Sequence, residues 1–146
     1  MICCTIYAHQ GQLENILVLI QKQLGFFHPQ LNPAESSINI QTSSTFSKQF
    51  GQLTVLTKES QPEEFARLIS RVIQRAEGLK GDGQQLVTAH LHQCQCAVGI
   101  AYDDGMSRQL FPNLLELCRT LDGIILLENG DFLTSSGEII NDKVVQ

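Results

Sequence analysis

Ala97-Val98-Gly99-Ile100-Ala101 is an uninterrupted apolar run that lies just before the turn sequence Asp103-Asp104-Gly105. A short apolar run without polar alternation is typical of a strand that is covered on both faces. A second such run, Gly123 to Glu128, follows one predicted helix later. The two runs therefore predict buried strands at the centre of a sheet. The residues expected in its interior are Val98, Ile100, Ile125 and Leu127.

Apolar residues at helical spacing predict four helices around this sheet. The predicted helices cover residues 12–24, 60–77, 84–92 and 107–121, and Asp122-Gly123 ends the last one. Further strands are predicted at residues 2–8, around Ile38 and Ile40, at 51–57, and at 132–133 and 139–140. Residues 26–36 and the glycine-containing segment 78–83 are predicted to be loops.

The order of these elements predicts the fold class. Strands alternate with helices, but a pair of strands lies in the middle of the chain and a hairpin at its end. We therefore expect an α+β (or mixed α/β) fold, in which a mixed sheet carries about four helices mainly on one face. Neither half would bury much apolar surface alone, so residues 1–146 are expected to form a single domain.

The composition argues against several classes of function. Ten basic residues against 15 acidic residues give a formal charge of −5, and Arg67, Arg71 and Arg75 are typical of a solvated helix face. We therefore expect no nucleic-acid partner. No apolar stretch is long enough for a membrane span, so no membrane association is expected. Five cysteines without framework spacing favour free thiols and a cytoplasmic location.

The segment between residues 84 and 96 holds the most conspicuous set of metal ligands, His90, His92, Cys94 and Cys96. On a strand, all four side chains would share one face, but the outer ones would lie too far apart to bind one ion. On a helix, which we favour through about His92, only His90 and Cys94 align. Further ligands would then have to come from His9, His28 or Cys118.

The favoured interpretation of this segment involves no metal. Two polar histidines at a helix end would be followed by semi-buried cysteines that enter a core strand, and no cofactor is expected. A second candidate site is Asp103-Asp104, because ligands gather at the carboxyl ends of strands in open α/β sheets. These two carboxylates suit a hard cation or another small ligand, although Asp-Asp-Gly is also an ordinary turn sequence.

Parts of the chain resemble an uncharacterised bacterial family that carries a domain of unknown function. The resemblance rests on residues 2–9 (ICCTIYAH), 96–100 (CAVGI), 120–125 (TLDGII) and 132–140 (FLTSSGEII). It implies an α/β region equivalent to the N-terminal part of longer family members. It implies no activity, cofactor or site residue.

The sequence contains no recognised catalytic motif. We therefore expect a non-catalytic binding or interaction module of a bacterial cytoplasm, whose protein partner or small ligand the sequence does not identify. A homo-oligomer is compatible with the sequence. The alternative is a small metal- or thiol-dependent enzyme that uses the segment from His90 to Cys96. Metal content of the purified protein discriminates between the two hypotheses.

Overall fold

The structure is a computed structural model that describes residues 2–24, 30–32, 37–41, 49–79 and 81–140. Four α-helices, eight strands and one short 3-10 helix (Asp104–Met106, between β5 and α4) lie in these ranges. In chain order the α-helices and strands are β1 (Ile2–Ala8), α1 (Leu13–Leu24), β2 (Gln30–Asn32), β3 (Ser37–Gln41), β4 (Gln49–Thr57), α2 (Pro62–Ala76), α3 (Gly81–His92), β5 (Cys96–Tyr102), α4 (Ser107–Leu121), β6 (Gly123–Leu127), β7 (Phe132–Leu133) and β8 (Ile139–Ile140).

The predicted α+β class and the four helices are confirmed. The helical interpretation of the segment after residue 84 is also confirmed, and α3 begins three residues earlier, at Gly81. One short strand was not predicted: β2 lies inside the segment 26–36 that was expected to be a loop. Its pairing with β3 stabilises it, and pairing of this kind leaves no periodic signal in three residues.

The eight strands form one sheet in the order β2-β3-β4-β5-β1-β6-β7-β8, and every described pair of neighbours is antiparallel. The expectation of a mixed sheet was therefore wrong. Two consecutive helices, α2 and α3, connect β4 to β5, so the chain returns in the opposite direction. The single helix α4 leaves β5 and β6 running the same way, but β1 lies between them and is antiparallel to both.

The helices cover both faces of the sheet, two on each, so the expectation of helices mainly on one face was also wrong. Helices α1 and α4 pack with Ile6 and Val98 on one face, whereas α2 and α3 pack with Tyr7 and Ala97 on the other. Neighbouring residues on a strand point to opposite faces. The apolar runs of the central strands thus require cover on both sides of the sheet.

The core confirms most of the predicted interior. Val98, Ile100 and Ile125 are buried, while Leu127 is half-buried at the end of β6. Burying an aliphatic side chain of this size stabilises a fold by roughly 1.5–3 kcal/mol. No helix in the described ranges is both long enough and apolar enough to cross a bilayer.

Candidate metal centre

Three chain segments meet at the end of the sheet where β1 finishes. His9 follows β1, His90 lies in the last turn of α3, and Cys94 lies between α3 and β5. Backbone hydrogen bonds hold these segments together. The amide of Gln95 donates to the carbonyl of Ala8 at 2.8 Å, and the amide of His9 donates to the carbonyl of Asp122 at 3.2 Å.

The side chains of His9, His90 and Cys94 converge. One ligand atom from each residue lies within 4.8 Å of the other two. In a tetrahedral zinc site the bond lengths of roughly 2.0–2.3 Å place ligand atoms about 3.3–3.6 Å apart. Movements of about 1 Å, within the range of small side-chain rotations, would therefore bring these three atoms into a first coordination shell.

The ring of His9 is oriented by a carboxylate. Its Nδ1 atom lies 3.0 Å from Oδ2 of Asp122, which is an acceptor, so Nδ1 carries a proton and the neutral form of the ring has its lone pair on Nε2. This Nε2 atom is buried and has no hydrogen-bond partner among the described residues. An imidazole that donates to a carboxylate through one nitrogen and is bare at the other has the arrangement of a metal ligand.

The ring of His90 is oriented by a backbone carbonyl. Its Nε2 atom lies 2.9 Å from the carbonyl oxygen of Tyr7, so Nε2 donates and Nδ1 carries the lone pair. The ring stacks on that of His9, with 4.2 Å between centroids. Burial lowers the pKa of His90, and the neighbouring His9 lowers it further, against the opposing effects of the Tyr7 carbonyl and Asp122. Burial thus favours the neutral ring that can bind a metal.

Cys94 supplies the only sulfur atom of the cluster. The residue is 2% exposed, and burial, reinforced by Cys96 and Asp122, raises the pKa of its thiol to about 12. Its Sγ atom donates to the carbonyl of His90 at 3.3 Å. A thiol in this environment is a poor nucleophile, because the thiolate is the reactive form. A bound cation would reverse this preference and deprotonate the sulfur.

Asp122 owes its position to the end of α4. Its backbone is in the left-handed region, with φ of 59°, and this conformation ends the helix. The next residue, Gly123, lies against β1, where a Cβ atom would be 2.9 Å from the carbonyl oxygen of Tyr7. The strand that begins at Gly123 therefore lies close enough to β1 for the Asp122 carboxylate to reach His9.

The structure separates the four ligand candidates predicted in the segment from His90 to Cys96. His90 and Cys94 belong to the cluster, at the helical spacing of four that favoured them. His92 is exposed at the end of α3. Cys96 is buried with the α1 and α4 helices, on the opposite face from Cys94. Among the proposed sources of further ligands, His9 is in the cluster and Cys118 lies in the opposite core, while His28 lies outside the described residues.

The second predicted site lies elsewhere. Asp103 and Asp104 are exposed after β5, and Asp104 accepts a hydrogen bond from the Ser107 hydroxyl at 3.4 Å. Ligands gather at the carboxyl ends of strands in open α/β sheets because parallel neighbours end at the same edge. Since both neighbours of β5 are antiparallel, their carboxyl ends lie at the other edge. A ligand-binding role for this pair stays a prediction without that support.

Asp122 is the participant that sequence reasoning did not identify. The pair Asp122-Gly123 was recognised only as a helix stop, and no local pattern connects it to a histidine 113 residues away. Comparison of the chain with family models, curated proteins and solved structures finds no match. The geometry of the cluster is therefore the feature of the molecule that points to a function.

Proposed function

We propose that this protein is a metal-binding module that holds one zinc-type ion through Nε2 of His9, Nδ1 of His90 and Sγ of Cys94. The observation that carries the proposal is the buried Nε2 atom of His9. It has no hydrogen-bond partner among the described residues, and a ring nitrogen of His9 lies within 4.8 Å of a ligand atom of both His90 and Cys94. A buried polar atom without a partner is costly, and a metal ion at this position would satisfy it.

The donor set selects the class of metal. Two imidazole nitrogens and one thiolate suit zinc and the neighbouring late transition metals, whereas magnesium and calcium require oxygen ligands. Both histidines have an outer partner that fixes the donor nitrogen, Asp122 for His9 and the Tyr7 carbonyl for His90. This outer shell supports binding, because ligands that are oriented in advance lose little freedom when the ion arrives.

The proposal keeps the binding-module hypothesis and names a ligand for it, so it departs from the expectation of no cofactor. The thiol-dependent enzyme has less support, because burial raises the pKa of Cys94 to about 12. A metal-dependent enzyme would use the same three ligands. All five cysteines are free, which supports the proposed cytoplasmic location because reducing compartments keep thiols unpaired.

The experiment is a titration of the reduced apoprotein with Zn²⁺ or Co²⁺, followed by calorimetry or by the thiolate-to-cobalt absorption band. We expect one ion per chain. His90→Gln and Cys94→Ala should lower the affinity at least about 100-fold, since each removes one of three ligands. His92→Gln and Cys96→Ala are matched controls that remove the same side-chain types outside the cluster, and they should leave the stoichiometry unchanged.

A melting experiment provides an independent readout. An ion that binds the folded chain at 100 times its Kd stabilises it by about 2.7 kcal/mol, so chelator should lower the Tm of the loaded wild type. Chelator should leave the Tm of Cys94→Ala unchanged. Absence of stoichiometric binding, or equal loss of binding in the cluster variants and in their matched controls, would overturn the proposal.

A further inference from the structure

A groove lies beside the cluster, between α2 and the end of α3. It encloses about 240 Å³, and its walls include the apolar side chains of Phe65, Ile69, Ile73 and Leu91. Cys94 also lines this groove, so the same residue belongs to the groove and to the metal cluster. The volume lies below the usual range of drug-sized pockets, roughly 300–1,000 Å³, and fits a small ligand.

A lysine residue, Lys58, lies at the rim of this groove. The backbone amide of Lys58 donates to the carbonyl of Gln95 at 2.8 Å. Because Gln95 directly follows Cys94 in the sequence, this bond holds Lys58 close to the cluster. The Lys58 side chain is exposed. The groove therefore combines an apolar wall, one ammonium group and one of the proposed metal ligands.

Among the residues that the structure describes, the cluster offers three candidate ligands, whereas zinc usually takes four. We propose that the fourth ligand is the carboxylate of a small apolar acid whose hydrocarbon part occupies this groove. The inference rests on the proposed metal-binding function. The apolar walls would bind the chain of the acid, while the metal ion and Lys58 would attract its negative charge.

The charges favour an anionic ligand over a neutral one. A divalent ion bound to one thiolate retains one positive charge, and Lys58 adds a second near the groove. The Asp122 carboxylate, which is hydrogen-bonded to His9, supplies one negative charge on the far side of that ring. A monoanion would therefore offset the positive charge that remains on these groups, which reduces the cost of burying the ion.

The test uses cobalt-loaded protein, with hexanoate as the probe and acetate and hexanol as comparisons. The cobalt spectrum should change on addition of hexanoate, with a Kd at least about tenfold lower than for acetate, because the longer chain buries more methylene groups. Hexanol has the chain without the charge, and it should leave the cobalt spectrum largely unchanged.

Two variants assign the binding to the groove. Ala66 lines the groove and is exposed, so Ala66→Trp should fill it and weaken hexanoate binding to about the level of acetate. Gln74→Trp adds the same ring at an exposed position of α2 that does not line the groove, and it should behave as wild type. Both variants should bind Co²⁺ normally.

The outcomes separate this inference from the proposed function. If Co²⁺ binds but hexanoate does not change the spectrum, or binds no better than acetate, the assigned ligand class is wrong while the metal site stands. If Ala66→Trp and wild type bind hexanoate equally, the groove is not its site. If Co²⁺ itself fails to bind, both the metal site and this inference are overturned.

Discussion

The Nδ1 atom of His9 lies 3.0 Å from the Oδ2 atom of Asp122, although 113 residues separate the two in the sequence. The Asp122 side chain is 81% exposed, so the pair contributes little to stability as an ion pair. Its effect is on orientation, because the bond holds Nδ1 of His9 on Asp122 and leaves the buried Nε2 atom without a partner among the described residues, in a ring that belongs to the cluster with His90 and Cys94.

Replacement of Asp122 tests this orienting role. Asp122→Asn keeps the size of the side chain and tolerates the positive φ of this position, so the fold should be retained. Loss of an outer partner of this kind typically lowers metal affinity 10–100-fold, and we expect about that loss in a zinc titration. Asp103→Asn is the matched control at an exposed aspartate outside the cluster. An affinity equal to that of the wild type in Asp122→Asn would contradict the orienting role.

The buried thiols predict a loss of stability at alkaline pH. Burial raises the pKa of Cys118 from its ordinary value of 9.0 to about 12. Above about pH 9 the unfolded chain therefore loses this proton while the folded chain retains it, and the free energy of unfolding falls as the pH rises towards 12. For one such thiol the loss is about 1.4 kcal/mol between about pH 8 and pH 10.

Urea unfolding of metal-free wild type and Cys118→Ala at these two pH values measures the effect. The variant should start less stable because of its smaller side chain. It should nevertheless lose less stability than the wild type as the pH rises. Parallel losses in the two proteins would show that Cys118 does not contribute to the alkaline decline.

The central position of β1 makes Ile6 a sensitive site in the core. Ile6 is fully buried between neighbours on β5 and β6, whereas Ile139 on β8 is 53% exposed. Ile6→Ala should lower the free energy of unfolding by about 2–5 kcal/mol, because it removes buried methyl groups and leaves a cavity. Ile139→Ala, the same substitution at an exposed position, should cost less than about 1 kcal/mol in the same chemical denaturation experiment.

The strand order predicts that the two halves of the chain fold only together. Strand β1 is hydrogen-bonded on both sides to strands from the second half, β5 and β6. A fragment of residues 1–80 would leave both edges of β1 unpaired, and a fragment of residues 81–146 would lack the strand between β5 and β6. Neither fragment should show a cooperative melt by circular dichroism. A sharp transition in both fragments would instead indicate two domains.

Local patterns in the sequence predicted most of the elements. The apolar run that contains Val98 and Ile100 and the helical spacing of α1 and α4 depend on neighbouring residues, so a single sequence reveals them. The direction and order of the strands could not be predicted in this way. They depend on β1 lying between β5 and β6, which is a contact between residues more than 80 positions apart.

The candidate site shows the same division. The spacing of His90 and Cys94 identified the two candidate ligands at one helix end, and the same reasoning excluded a site made from all four residues of the segment. The choice of His9 over His28 and Cys118 required the sheet, because only the register of β1 against β5 places His9 beside α3. The role of Asp122 depends on the register of β1 against β6 in the same way.

The corner between α4 and β6 restricts which relatives could share this site. Position 122 requires a positive φ, which aspartate, asparagine and glycine tolerate, and only aspartate among these three offers a carboxylate. Position 123 has no room for a Cβ atom beside β1. A chain with the same centre should therefore carry a histidine after its first strand, a His-x-x-x-Cys pair at the end of its third helix, and an Asp-Gly pair after its fourth. This pattern is a search signature that distinguishes shared metal chemistry from a shared fold.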